Sequence, residues 1–130
     1  ILRVRTELPL QAAADRYDRD IARFLTQGGQ LPLGLLGIGA DGHTASIFTP
    51  EDAAAGGERW ALAVPRPQKP DRVSVTSTCL SRVQQIVFLA TGPDKAAVVQ
   101  RFKHDPLSLP AGLAVAGSPL VELWYTQDAG

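Results

Sequence analysis

Apolar residues recur along this chain with two periods. Between residues 10 and 25, Leu10, Ala13, Ala14, Tyr17, Ile21, Phe24 and Leu25 fall on one helical face. Pro9 suits a first turn and Gly28–Gly29 a stop, so the pattern predicts a helix over 10–25. Residues 31–38, "LPLGLLGI", are apolar on both alternating sides, as a strand inside a parallel sheet is. "RWALAVP" (59–65) predicts a short strand, "VSVTST" (73–78) alternates with period two and predicts another, and "CLSRV" predicts a short helix. "QIVFLATG" (85–92) predicts a strand leaving through Gly92, "DKAAVVQRFK" (94–103) a helix, and "LVELWYT" (120–126) a last strand. The Pro-rich "RPQKPDR" (66–72) and "HDPLSLPAG" (104–112) read as loops. Strands alternating with helices predict the α/β class: an open, mostly parallel, Rossmann-like sheet with helices on both faces.

In such a sheet, ligands sit outside the carboxyl ends of the strands. Two loops leave apolar strands there through glycine, "GIGADGHT" and "TGPDK", and they are expected to share a site. The first holds the spacing G-x-G-x-x-G at Gly37, Gly39 and Gly42. A dinucleotide-binding loop needs a long helix after the third glycine and an acidic residue ending the next strand. Here "HTASIFTP" is cut short at Pro50, and Glu58 precedes the next apolar run instead. A catalytic reading fits better. Asp41 and His43 straddle Gly42, so one tight loop presents both side chains. A carboxylate orients an imidazole and favours its charged form, and the imidazole then takes a proton from water. Thr44 and Ser46 are placed to cap a short helix or to touch substrate. The bland alternative is a loop histidine satisfied by a backbone carbonyl, with Asp41 as a helix cap. Spacing alone leaves both open.

Composition narrows the setting. The 130 residues suit a single domain, and 45% hydrophobic with 20% charged residues is a globular balance. Lys plus Arg and Asp plus Glu both number 13, so no net field draws the chain to nucleic acid or to an anionic membrane. The one cysteine, Cys79, allows no disulfide within the chain and no cysteine zinc cluster, and it reads as a buried small hydrophobe. No apolar run has membrane-spanning length and no signal peptide opens the chain, so a cytoplasmic protein is expected. The absence of any methionine, with Ile1 first, predicts a piece of a longer protein.

The wording of the loop is more specific than its spacing. "GIGADGHTASIFTP" resembles the G-x-G-x-D-G-H-T-A-S-[LI]-F-P signature of the 6-phosphogluconolactonase family. "LPLQAAADRYDRDIARFL" resembles the helix before that signature. The span from "RWALAVPRPQKPDRVSVTSTCL" to "FLATGPDKAAVVQRF" resembles the family's central segment, and "SPLVELWYTQDAG" its W-[FY]-x-D-x-A ending. The resemblance covers essentially the whole chain. It implies a partial domain over 1–130, the carboxyl-terminal part of a larger single domain, because family members run to about twice this length. Their amino-terminal half, with a Ser/Gly-rich phosphate loop, has no counterpart here. Related glucosamine-6-phosphate deaminases carry an essential Glu five residues after the loop His. Position 48 here is Phe48, which favours the lactonase branch.

The resemblance implies hydrolysis of 6-phosphoglucono-1,5-lactone to 6-phosphogluconate, in the pentose phosphate pathway. Its partner is this small sugar-phosphate lactone, with no cofactor and no metal. Monomer and homo-oligomer both remain open. His43 is the expected general base and later proton donor, and Asp41 its orienting group. Gly39 and Gly42 are expected to bring backbone and amides to the sugar, with Thr44 nearby. Lys95, at a helix start after "TGPD", is the expected phosphate reader. Arg72 and Lys69 match the family's P-x-R and P-K-P positions and are expected at the substrate. His104 reads as surface. Trp60, Trp124 and Tyr125 read as packing. A non-catalytic sugar-phosphate-binding homologue is the alternative.

Overall fold

The computed structural model describes residues 1–128. Ala129 and Gly130, which end the W-Y-T-Q-D-A motif, lie outside the described residues. Helix α1 (Leu10–Thr26) is followed by strand β1 (Leu31–Gly37), the signature loop, and a short helix α2 (Pro50–Ala54). Strands β2 (Ala61–Val64) and β3 (Arg72–Val75) precede a short helix α3 (Ser77–Ser81) and the long strand β4 (Val83–Thr91). A 3₁₀ turn at Pro93–Lys95 leads into α4 (Ala96–His104); α5 (Pro110–Ala114) and β5 (Val121–Thr126) complete the order.

The parallel sheet has the order β1-β4-β5, with Leu35 opposite Val87 and Leu89 opposite Trp124. One face buries Ile86, Phe88 and Ala90 under Val98 and Val99 of α4 and Ala111 and Ala114 of α5. The expectation of one sheet is corrected in one respect. β2 and β3 pair antiparallel with each other in a separate two-stranded sheet, because the Pro-rich loop between them turns the chain straight back. α1 packs chiefly on that hairpin, with Leu31 of β1 at the edge of the same cluster. Its Asp18 accepts the N–H groups of Trp60 (2.7 Å) and Ala61 (3.2 Å).

The expected second layer of helices is missing from the other face of the parallel sheet among the described residues. Leu33, Leu35, Leu89 and Trp124 are exposed there. Trp124, expected as packing, is 60% exposed, its indole N–H given to Glu122 at 3.0 Å. Trp60 and Tyr125 are half-buried, and Tyr125 donates its hydroxyl to the Gly92 carbonyl. Two short helices go beyond what the apolar periodicity predicts. α2 starts in a capping box of Thr49 with Asp52, which "TPED" spells out. α5 starts on Pro110, inside a stretch whose composition predicts a loop.

Candidate active site

The loop after β1 is held by its own backbone. Gly39 N–H donates to the His43 carbonyl (2.8 Å), and Gly42 N–H to the Gly39 carbonyl (2.9 Å). Gly42 has φ +89°, a left-handed conformation that glycine adopts without strain, and its carbonyl accepts Ala111 N–H of α5 at 2.8 Å. A Cβ on Gly39 would overlap His43 Nδ1 and Asp41 Oδ1. The two glycines therefore act by shape. Their amides are committed within the loop and are not free to reach a sugar, contrary to the expectation.

That shape closes Asp41 onto His43. Asp41 Oδ1 accepts His43 Nδ1 at 2.5 Å and the His43 backbone N–H at 3.1 Å. Partial burial disfavours the Asp41 carboxylate, but the two His43 hydrogen bonds outweigh it and hold its pKa below the usual range. An ionised carboxylate only accepts, so Nδ1 carries a proton directed at Asp41. The imidazole is about one-third exposed, with side-chain exposure of 32%. It is within reach of water. The structure departs from the bland alternative in its details: Asp41 caps no helix, and the His43 side chain meets a carboxylate rather than a backbone carbonyl.

The two glycine loops do come together, as expected from adjacent parallel strands. Lys95 Nζ donates to the Ile38 carbonyl at 2.8 Å, bracing the signature loop from the β4 side. Thr44 is corrected: it is buried, with its hydroxyl donated to the Gly37 carbonyl at 2.8 Å, so it fastens the loop and faces no substrate. Ser46 is also buried, and its N–H reaches Ser74 Oγ of β3 at 3.1 Å. Lys69 pairs with Asp71 at 2.7 Å, and Arg72 is exposed at the start of β3, lining a groove with Thr6, Leu10 and Ala13. No hydrogen bond or ion pair joins either to Asp41 or His43 among the described residues. Cys79 is buried, and desolvation, with Asp18 nearby, pushes its thiol up to about 11, away from nucleophile chemistry. His104 ends α4 exposed.

Two contacts beside His43 go beyond the sequence reading, which singles out Phe48 only as the residue in place of a deaminase Glu and leaves Arg66 unassigned. Phe48 lies against His43, with ring centroids 4.8 Å apart. Arg66 places its guanidinium 3.6 Å over the Phe48 ring. The only sequence signal is an aromatic five positions after the His together with an unassigned cation in the Pro-rich loop. Among the described residues, no cluster of three or more His, Cys, Asp or Glu side chains is placed to hold a metal ion. No helix there is long and apolar enough to cross a membrane.

A model of the family described as glucosamine-6-phosphate isomerases/6-phosphogluconolactonase matches residues 1–122. The chain belongs to this family. Within it, the chain is 32% identical to human 6-phosphogluconolactonase and 37% identical to that of Rattus norvegicus, each over 99% of this chain and 52% of the relative. The chain thus spans about half the length of the curated relatives it matches. The crystal structure of 6-phosphogluconolactonase from Thermotoga maritima superposes with a TM-score of 0.76 at 28% identity, over 96% of this chain and 55% of that one. The signature loop therefore sits in a fold the family shares.

Proposed function

We propose that this chain carries the water-activating centre of a 6-phosphogluconolactonase, which hydrolyses 6-phosphoglucono-1,5-lactone to 6-phosphogluconate. The observation that carries the reading is the Asp41–His43 pair, with Nδ1 tied to the carboxylate and Nε2 in no hydrogen bond among the described residues. In the reaction, Nε2 takes a proton as water adds to the lactone carbonyl, giving a tetrahedral oxyanion. Its collapse breaks the bond to the ring oxygen, and the imidazolium returns the proton to that oxygen. Asp41, kept ionised, stabilises the imidazolium between the two transfers. Lys95 gives one of its three N–H bonds to Ile38 and, in this reading, offers the others to the substrate phosphate. Phe48 beside His43 supports the lactonase over the deaminase branch, because a phenyl ring moves no proton. The cytoplasmic setting belongs to the same proposal.

The test is lactone hydrolysis by the protein carrying this chain, measured above spontaneous hydrolysis. His43→Ala is expected to keep the fold and lower the enzymatic rate by roughly 10²- to 10⁴-fold, the span of a lost general base. A folded variant with near-unchanged turnover would overturn the reading, as would release of ammonia from glucosamine 6-phosphate by the unaltered protein.

A further inference from the structure

Phe48 and Arg66 take no part in the proton transfers above, yet they form a continuous stack onto the base. The Phe48 ring lies 4.8 Å from the imidazole, with the planes tilted by 36°. The Arg66 Cζ lies 3.6 Å over the same phenyl ring. Both partners are anchored through their backbones. Phe48 N–H donates to Asp52 Oδ2 at 3.0 Å, the carboxylate that also starts α2. Arg66 N–H donates to Asp71 Oδ1 at 2.8 Å, and that same oxygen takes up Lys69 Nζ. Asp71 therefore neutralises Lys69 and fixes the backbone of Arg66. The Arg66 guanidinium itself makes no ion pair and no hydrogen bond among the described residues. The aromatic face is what defines its place, through the attraction of a cation to the ring quadrupole.

The imidazole needs such a support. Its hydrogen bond to Asp41 fixes Nδ1 but leaves the ring free to swing about that bond, which moves Nε2. A flat neighbour held in place removes that freedom, and general-base efficiency depends on placement of this order. We propose that Arg66 is a positioning residue for His43, acting through Phe48: the guanidinium clamps the phenyl ring, and the ring sets the plane of the base. The kinetic part of its test rests on the lactonase reading; the spectroscopic part does not.

The experiment compares Arg66→Ala, Arg66→Lys, Phe48→Leu and the double variant Arg66→Ala/Phe48→Leu. Arg66→Ala is expected to lower kcat about 3- to 10-fold, the worth of a partly desolvated cation–π contact. KM should stay within about twofold, as for an interaction that aligns the base without holding substrate. Arg66→Lys should restore part of the loss, and the double variant should be no worse than Phe48→Leu alone, because the two residues act in series. In parallel, the ring-proton resonances of His43 report the Phe48 ring current. They should move in Arg66→Ala toward their positions in Phe48→Leu. Unchanged His43 resonances in Arg66→Ala would overturn the proposal. So would additive losses, or a loss confined to KM, which would make Arg66 an anion contact instead. If the unaltered protein turns over no lactone, the functional reading fails, and the resonances alone decide the role of Arg66.

Discussion

At the scale of single residues, the two loop glycines separate activity from stability. Gly39 makes room for side-chain ends, since the atoms nearest to a Cβ there would be His43 Nδ1, His43 Cε1 and Asp41 Oδ1. Gly39→Ala is expected to fold normally and to lose roughly 10²-fold in turnover, because it displaces the base by about the width of the conflict. Gly42 combines φ +89° with a close neighbour: a Cβ there would stand 2.6 Å from Cδ2 of the buried Leu109. Gly42→Ala should therefore cost about 1–3 kcal/mol of stability, read from denaturant midpoints. If the two variants swap phenotypes, the division of labour is wrong. Cys79 gives a pH test. Its thiol is raised to about 11 in the fold, chiefly by burial. An acid raised on folding stabilises below its unfolded pKa, and that contribution is lost as pH rises toward the folded value. Denaturation between pH 8 and 11 should show falling stability, with a slope reduced in Cys79→Ala. An identical slope in the variant would mean that other groups carry the alkaline loss. The Asp41–His43 pair was legible because two residues apart across a glycine is a local arrangement. Thr44 and Arg66 were not. A hydroxyl next to His43 in sequence reads alike whether it faces solvent or backbone, and Arg66 reaches Phe48 only after the Pro-rich loop folds.

At the scale of elements, the chain reads clearly where one period runs long, as in α1 and β4; of the short elements, β2, β3 and α3 are expected from the sequence and α2 and α5 are not. α2 and α5 hold too little apolar periodicity to register, and their signals lie in the caps. The pairing of β2 with β3 was illegible for another reason: period-two alternation marks a strand but names no partner. The structure supplies the partner and shows how α1 is fastened to it. Asp18 accepts two backbone N–H groups at the start of β2, while the Arg59–Asp15 ion pair beside it is more than one-third exposed. The ion pair is expected to contribute little, and Asp18 much more. Asp18→Ala should cost about 1–3 kcal/mol, since it leaves the Trp60 and Ala61 amides without their acceptor. Arg59→Ala removes the ion pairs with both Asp15 and Asp18 and also loses the Nε bond to the Ala61 carbonyl, so the cleaner comparison is Asp15→Ala, expected to change the midpoint by less than about 1 kcal/mol. Equal losses at Asp15 and Asp18 would show that the helix is held by charge and not by the strand's amides.

At the scale of the whole molecule, the parallel sheet has two unlike faces. One is the core, where Ile86, Phe88 and Ala90 are at most 3% exposed beneath α4 and α5. The other presents rows that run across the strands, Leu35–Val87–Glu122 and Gly37–Leu89–Trp124. Val87 is shielded in the middle at 4% exposure, while Leu35 and Trp124 in these rows reach 61% and 60%. The sequence could not show this asymmetry. A strand apolar on both sides reads as buried on both, and the pattern is the same whether or not a layer lies over it. The consequence is measurable in the 130-residue chain. Side chains already in water lose little when made polar, whereas core side chains lose their burial and leave a cavity. Leu35→Lys and Trp124→Lys should each shift the unfolding midpoint by less than about 1 kcal/mol and together reduce binding of a hydrophobic dye. Phe88→Ala, on the opposite face of the same sheet, should cost about 3–5 kcal/mol. Destabilisation by Leu35→Lys of a size comparable with Phe88→Ala would mean that the face is covered in solution. The sheet would then be buried on both sides, as the sequence pattern reads.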